Sequence, residues 1–185
     1  MRLRLEVSKD VLNKVTYNVQ ALEAHRAEKD AFFRDPNESP LLPEHRAQFQ
    51  GLSYFAPDTR YSIQVVPNRF SVPEPVLLAT SSGTTRWYLK WGTVDLVLPE
   101  GTGHLELYTE DPEATAFFVP FLDATNGRET YTAGRYLEAT WMDPHVTLDF
   151  NWAYHPYCLY SPKWTCPRPT AQNTLFFPVY AGEKL

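Results

Sequence analysis

The chain has 185 residues, a formal net charge of −5, 43% hydrophobic and 21% charged residues. That length suits one domain with a proper core, and the acidic balance argues against a nucleic-acid partner, which needs clustered Lys and Arg to neutralise phosphates. No run approaches the ~20 apolar residues that span a bilayer, and the opening MRLRLEVSKDVLNKV lacks the apolar stretch of a signal peptide. The expectation is a single domain over residues 1–185, cytoplasmic, with no membrane partner.

Aromatic residues at 15% and 16 prolines are both high; the first favour strands, the second loops and strand edges. Over residues 11–34, apolar side chains recur at Leu12, Val15, Val19, Leu22, Ala27 and Phe32 with charges between them. This is the period of an amphipathic helix. RDPNESP ends it, because Pro36 and Pro40 lack donors and Asn37 supplies turn chemistry. His25 and His45, in this charged region, read as solvated surface groups.

From Tyr61 onward the period changes to short β-branched and aromatic runs separated by Gly, Pro, Asn and Asp. Strands are expected over 61–66, 76–80, 85–91, 93–98, 104–108, 116–122, 129–140 and 147–154. Short connectors such as SSG and LPEGTG suit antiparallel neighbours. The fold class is therefore mainly β (α+β by count), with a β domain over 52–185: an antiparallel meander curled into a barrel or sandwich behind an N-terminal helix.

FLDATNGRETYTAGRYL contains the sharpest local signal. Asn126-Gly127 suits the positive φ angles of a type I′ hairpin turn. Such a turn sets Thr125 opposite Arg128, Ala124 opposite Glu129, Asp123 opposite Thr130 and Leu122 opposite Tyr131. Gly134 within a strand pattern suggests a bulge or a close backbone approach. Two readings stay open: a cross-strand polar network that serves the hairpin, or a pocket mouth lined by Asp123, Glu129 and Arg135, with Arg135 holding an anionic group.

In TLDFNWAYHPYCLYSPKWTCPRPTAQNTL, alternation places Asp149 and Asn151 on one strand face and Phe150, Trp152 and Tyr154 on the other, before prolines impose an irregular loop. Its aromatic residues Tyr154, Tyr157, Tyr160 and Trp164 either cap an open barrel end or line a ligand site. His155, Cys158 and Cys166 share the loop without the paired spacing of a structural zinc site, so no metal is assigned, and two reduced thiols are the first reading in cytosol. P-loop, GxGxxG, GxSxG and HExxH signatures are absent, and His104 and His145 show no obvious acid partner.

The string FLDATNGRETYTAGRYL, then LDFNWAYHPYCLYSPKWTCPRPTAQNTL and the terminal AGEK, with SPL at 39–41 and FQGLSYF at 49–55, resembles the uncharacterised prokaryotic family known as domain of unknown function 1684. The resemblance covers most of the chain from about Phe32 onward. Its pattern falls on Phe121, Asp123, Thr125, Gly127, Glu129, Thr130, Tyr131, Gly134, Arg135 and Tyr136, then on Asp149, Phe150, Asn151, Tyr154, Pro156, Tyr157, Cys158, Cys166, Pro167 and Asn173. His155 stands where the family pattern has Asn, which weakens any role for it as an obligatory ligand or base. The resemblance implies no activity, and the cofactor stays unknown.

The sequence thus points to a small-molecule-binding β domain whose ligand meets Arg135, Tyr131, Tyr136, Asn151, Tyr154 and Tyr157. The alternatives are an enzyme using Asp123, Glu129 or Asp149 as acid or base, and a structural motif in a partner-binding protein. Neither a cofactor nor an oligomeric state is specified.

Overall fold

The structure, a computed structural model, describes residues 17–185. Helix α1 spans Val19–Arg34; the part of the expected helix that carries Leu12 and Val15 lies outside the described residues. The Asn18 side chain caps α1 by accepting from the Ala21 N–H. At the other end the Asp35 carboxylate accepts from the N–H groups of Asn37 and Glu38, turning the chain away. The helix docks through much of the expected apolar row: Leu22 is buried and Val19 and Phe32 are half-buried, whereas Ala27 is exposed. Leu22 and Phe33 are the buried apolar anchors, with Arg26 and Lys29 between them at the i+4 and i+7 positions. A four-residue turn of helix, α2 (Pro43–Arg46), follows.

The strands are β1 (Ser53–Tyr54), β2 (Ser62–Val65), β3 (Asn68–Ala79), β4 (Thr85–Leu98), β5 (Gly101–Thr109), β6 (Ala116–Phe121), β7 (Arg135–Met142), β8 (His145–Asp149) and β9 (Glu183–Lys184). Seven form one antiparallel sheet in the order β2-β8-β7-β6-β5-β4-β3, so β3 to β8 are a meander and β2 joins beyond its last strand. The sheet curls until β2 approaches β4, without a β2–β3 ladder to close it. The architecture is a mainly β half-barrel behind an N-terminal helix. A small β1–β9 pair ties the C-terminus to the segment after α2.

Period-two alternation fills the interior. Val94, Leu96 and Leu98, Leu105 and Leu107, Phe117, Val119 and Phe121, Leu137 and Ala139, and Val146 and Leu148 point into one core. Trp91 joins them because a bulge between Lys90 and Gly92 shifts the β4–β5 register; the two runs expected over 85–91 and 93–98 are one strand with this irregularity at its centre. Tyr88, Tyr108 and Leu78 form a second apolar cluster, against which Phe118 and Val76 pack. Asp95 and His104 are opposite in the β4–β5 register, and their side chains meet at 2.8 Å, giving His104 the acid partner its sequence neighbours do not.

The expected Asn126-Gly127 hairpin does not form. β6 ends at Phe121 and β7 begins at Arg135, opposite it, so residues 122–134 are a loop. A type I′ turn needs positive φ at both central residues; Gly127 adopts it at 80°, but Asn126 does not. Likewise the run expected as a strand over 147–154 ends at Asp149, whose carboxylate caps a 3-10 turn at Phe150–Trp152. Phe150 and Asn151 are buried together and Trp152 is exposed, which breaks the expected alternation.

Candidate functional site

The loop of residues 122–134 is organised from within. The Thr125 carbonyl accepts from the N–H groups of Arg128, Glu129 and Thr130, and the Thr125 and Thr130 hydroxyls meet at 2.8 Å. The Asn126 side chain reaches Thr130 and the Tyr131 carbonyl. Asp123 divides its two oxygens: Oδ1 accepts from the N–H groups of Thr125 and Val179, while Oδ2 accepts from Arg135 Nη2 at 2.8 Å. Arg135 also donates to the carbonyls of Val179, Ala181 and Glu183. Its guanidinium lies 5.3 Å from the Phe121 ring centroid. Both Arg135 and Asp123 side chains are wholly enclosed. Burial pulls the Arg135 guanidinium down from its ordinary value, and the Asp123 carboxylate opposes that pull. Arg135 therefore clamps the C-terminal segment onto the sheet.

Other polar side chains of the two long motifs do similar work. Asn151 bridges the Asp58 N–H and carbonyl and also donates to Asp149. Asn173 accepts from the Glu106 N–H and donates to the carbonyls of Glu106 and Pro120. His155 is buried; its Nε2 accepts from the Tyr131 N–H, and burial first, then Arg135 and Lys29, push its pKa down to about 3. The buried Glu183 carboxylate accepts from the His155 N–H and pairs with Lys29. The Tyr136 hydroxyl donates to the Pro167 carbonyl. Each of these side chains bonds backbone groups that would be costly to leave buried and unpaired.

An open cleft of about 580 Å³ lies between α1 and the far side of the sheet. His25, Glu28, Lys29 and Phe32 line it from one helix face; Glu138 of β7 with Trp152, Tyr154 and Tyr157 line it from the other side. Tyr154 is fixed by an antiparallel bridge to Tyr136 and donates its hydroxyl to Glu138 at 2.9 Å. Tyr157 stacks on Phe32, and the His25 ring lies 4.8 Å from Trp152. Burial raises the Glu138 pKa, opposed by the Tyr154 hydroxyl; burial and neighbouring Lys29 lower that of His25.

Residues 47–184 match the family described as "Protein of unknown function (DUF1684)". The chain belongs to this family. It is also similar, at 39% identity and a TM-score of 0.71, to an uncharacterized protein of Haloarcula marismortui solved by solution NMR, with 90% of this chain and 94% of that one covered. No curated protein matches it.

The structure places each of the residues singled out in the sequence. Of these, Tyr154 and Tyr157 line the cleft. Asp123 and Arg135 are together but enclosed, so neither borders a pocket mouth, and the cross-strand network read from the sequence is instead a loop network. Glu129 is exposed on the loop, with its carbonyl accepting from the Leu185 N–H. Asp149 and Asn151 pair with each other, Tyr131 meets His155, and Tyr136 is buried beneath Tyr154. His25, read as a solvated group, is exposed but faces the cleft, as do Glu28, Lys29 and Phe32. Their spacing at 25, 28, 29 and 32 is a helix-face signal that the sequence does contain. Glu138, an outward position on a strand, carries none. Tyr157 and Tyr160 pack against Phe33, so the aromatic loop secures α1.

Proposed function

We propose that this family member is a small-molecule-binding half-barrel whose ligand occupies the cleft between α1 and the Trp152–Tyr157 segment. The observation that supports this reading is the convergence of four aromatic side chains and the Glu138 carboxylate around a space of about 580 Å³. Such a mixture of apolar walls and few polar groups, in a volume of a few hundred Å³, is the usual make-up of a ligand site. Ligand contact moves from Arg135, Tyr131, Tyr136 and Asn151, which hold the scaffold, to Tyr154 and Tyr157 with the helix face.

A thermal-shift and tryptophan-fluorescence screen against metabolites tests it. A ligand at 100 times its Kd should stabilise the protein by about 2.7 kcal/mol, and the effect should vanish in a folded Trp152→Ala variant. Hits that persist in that variant and perturb no cleft residue would remove this reading.

A second reading rests on the Glu138 and Tyr154 pair. A carboxyl group with a raised pKa beside a hydroxyl at 2.9 Å is suited to proton transfer. Under that reading Glu138→Gln abolishes turnover of a bound compound while leaving its binding in place.

A further inference from the structure

The charge balance of the cleft specifies its ligand more narrowly. Lys29, the cation on its wall, is already committed: its ammonium pairs with the buried Glu183 carboxylate and lies 4.8 Å from the Tyr154 ring centroid. His25 is held toward its neutral form by burial and by that same ammonium. Among the described residues, the remaining charges on the cleft wall are both negative. Glu138 has the Tyr154 hydroxyl as its one side-chain partner among the described residues, and Glu28 has none among them. Around these carboxylates stand the Phe32, Trp152, Tyr154 and Tyr157 rings. Aromatic faces attract cations through their quadrupoles, and more strongly where water is displaced.

Resting on the cleft as the ligand site, we infer that the occupant is a small organic cation: an ammonium group directed at Glu138, carried on an apolar body that lies against the aromatic walls. An anionic ligand would meet two carboxylates with no free cation among the described lining residues to offset them. Arg135, the residue suited to an anion, is wholly enclosed, with both Nη groups on Asp123 and three carbonyls.

Amide chemical-shift titrations with benzyltrimethylammonium, benzyl alcohol and phenylacetate distinguish the outcomes. The expected result is saturable shifts from the ammonium probe confined to residues 25–32, 138 and 152–157, with affinity at least about tenfold above that of the other two probes. Glu138→Gln, near-isosteric and outward-facing, should lose about that factor while its spectrum remains that of the folded protein. Equal or tighter binding of benzyl alcohol or phenylacetate to the same amides overturns the cation assignment and leaves the cleft as the site. No shift at these amides with any of the three probes overturns both.

Discussion

Arg135 Nη2 and Asp123 Oδ2 meet at 2.8 Å in a part of the molecule that solvent does not reach. The pair joins the start of β7 to the loop that precedes it, and through Val179, Ala181 and Glu183 to the C-terminal segment. Its chemistry is that of a strut: every bond it makes is internal.

Removing one member should therefore be a stability defect. Arg135→Met leaves a buried carboxylate and three carbonyls without their donor, and Asp123→Asn leaves a buried guanidinium uncompensated; each should cost about 3 to 5 kcal/mol. Urea unfolding measures it. A loss below about 1 kcal/mol in both variants would show that the strut does not hold the loop.

The two positive-φ glycines of this loop should differ. At Gly134, φ is 94° and a Cβ would stand 2.5 Å from the Phe121 carbonyl oxygen, so Gly134→Ala combines backbone strain with a clash against the sheet. At Gly127, φ is 80° and a Cβ would meet only the Thr132 methyl at 3.4 Å. Gly127→Ala should cost about 1 to 2 kcal/mol from conformation, and Gly134→Ala clearly more. Thermal unfolding of the two variants, side by side, checks the order.

His155 sets an acid limb on stability. Its folded-state pKa is lowered to about 3 from an ordinary 6.5, so between those values the unfolded chain binds a proton that the folded protein excludes. Stability is complete above pH 6.5 and falls as the pH drops toward 3, by up to about 1.4 kcal/mol per unit for this one group. The faces toward His155 carry Glu183, Lys29 and Arg135, all part of the same buried network. In His155→Gln, whose amide oxygen can accept from the Tyr131 N–H, the acid limb should flatten. Denaturation curves at a series of pH values read this directly.

Both cysteines are free thiols, Cys166 buried and Cys158 half-buried. Burial raises the Cys166 pKa to about 11, which leaves on the order of one thiolate per thousand at pH 8. Alkylation of the native protein followed by mass spectrometry should therefore modify Cys158 first. Cys166 should react only under denaturing conditions; early modification of Cys166 would place it nearer the surface.

Much of the fold is written locally. The change from a helical period to period two from Tyr61 onward identifies the helix and the strands, because each element must bury one face and that face is a local pattern. The short connectors make the meander, since neighbouring strands joined by a few residues pair before distant ones do. What failed locally failed where side chains chose distant partners. Asn126-Gly127 has the composition of a hairpin turn, yet Asn126 spends its side chain on the loop, and Arg135 and Asp123 are drawn to a segment more than forty residues further along. Asp149 and Asn151 alternate like strand residues but close a 3-10 turn against Asp58.

The sequence alone determined the N-terminal helix, the antiparallel meander and the stretches where polar side chains concentrate. Only the tertiary structure decided what those side chains do, because a buried Arg, Asn or His and one lining a cleft look the same until it is known which backbone amides and carbonyls lack partners nearby. It placed Arg135, Asn151 and Asn173 in the scaffold, and it set one face of α1 opposite Glu138, Trp152, Tyr154 and Tyr157 to form a cleft. No spacing along the chain encodes that meeting, since it depends on Phe33, Arg26 and Lys29 docking the helix onto a loop from the far end of the protein.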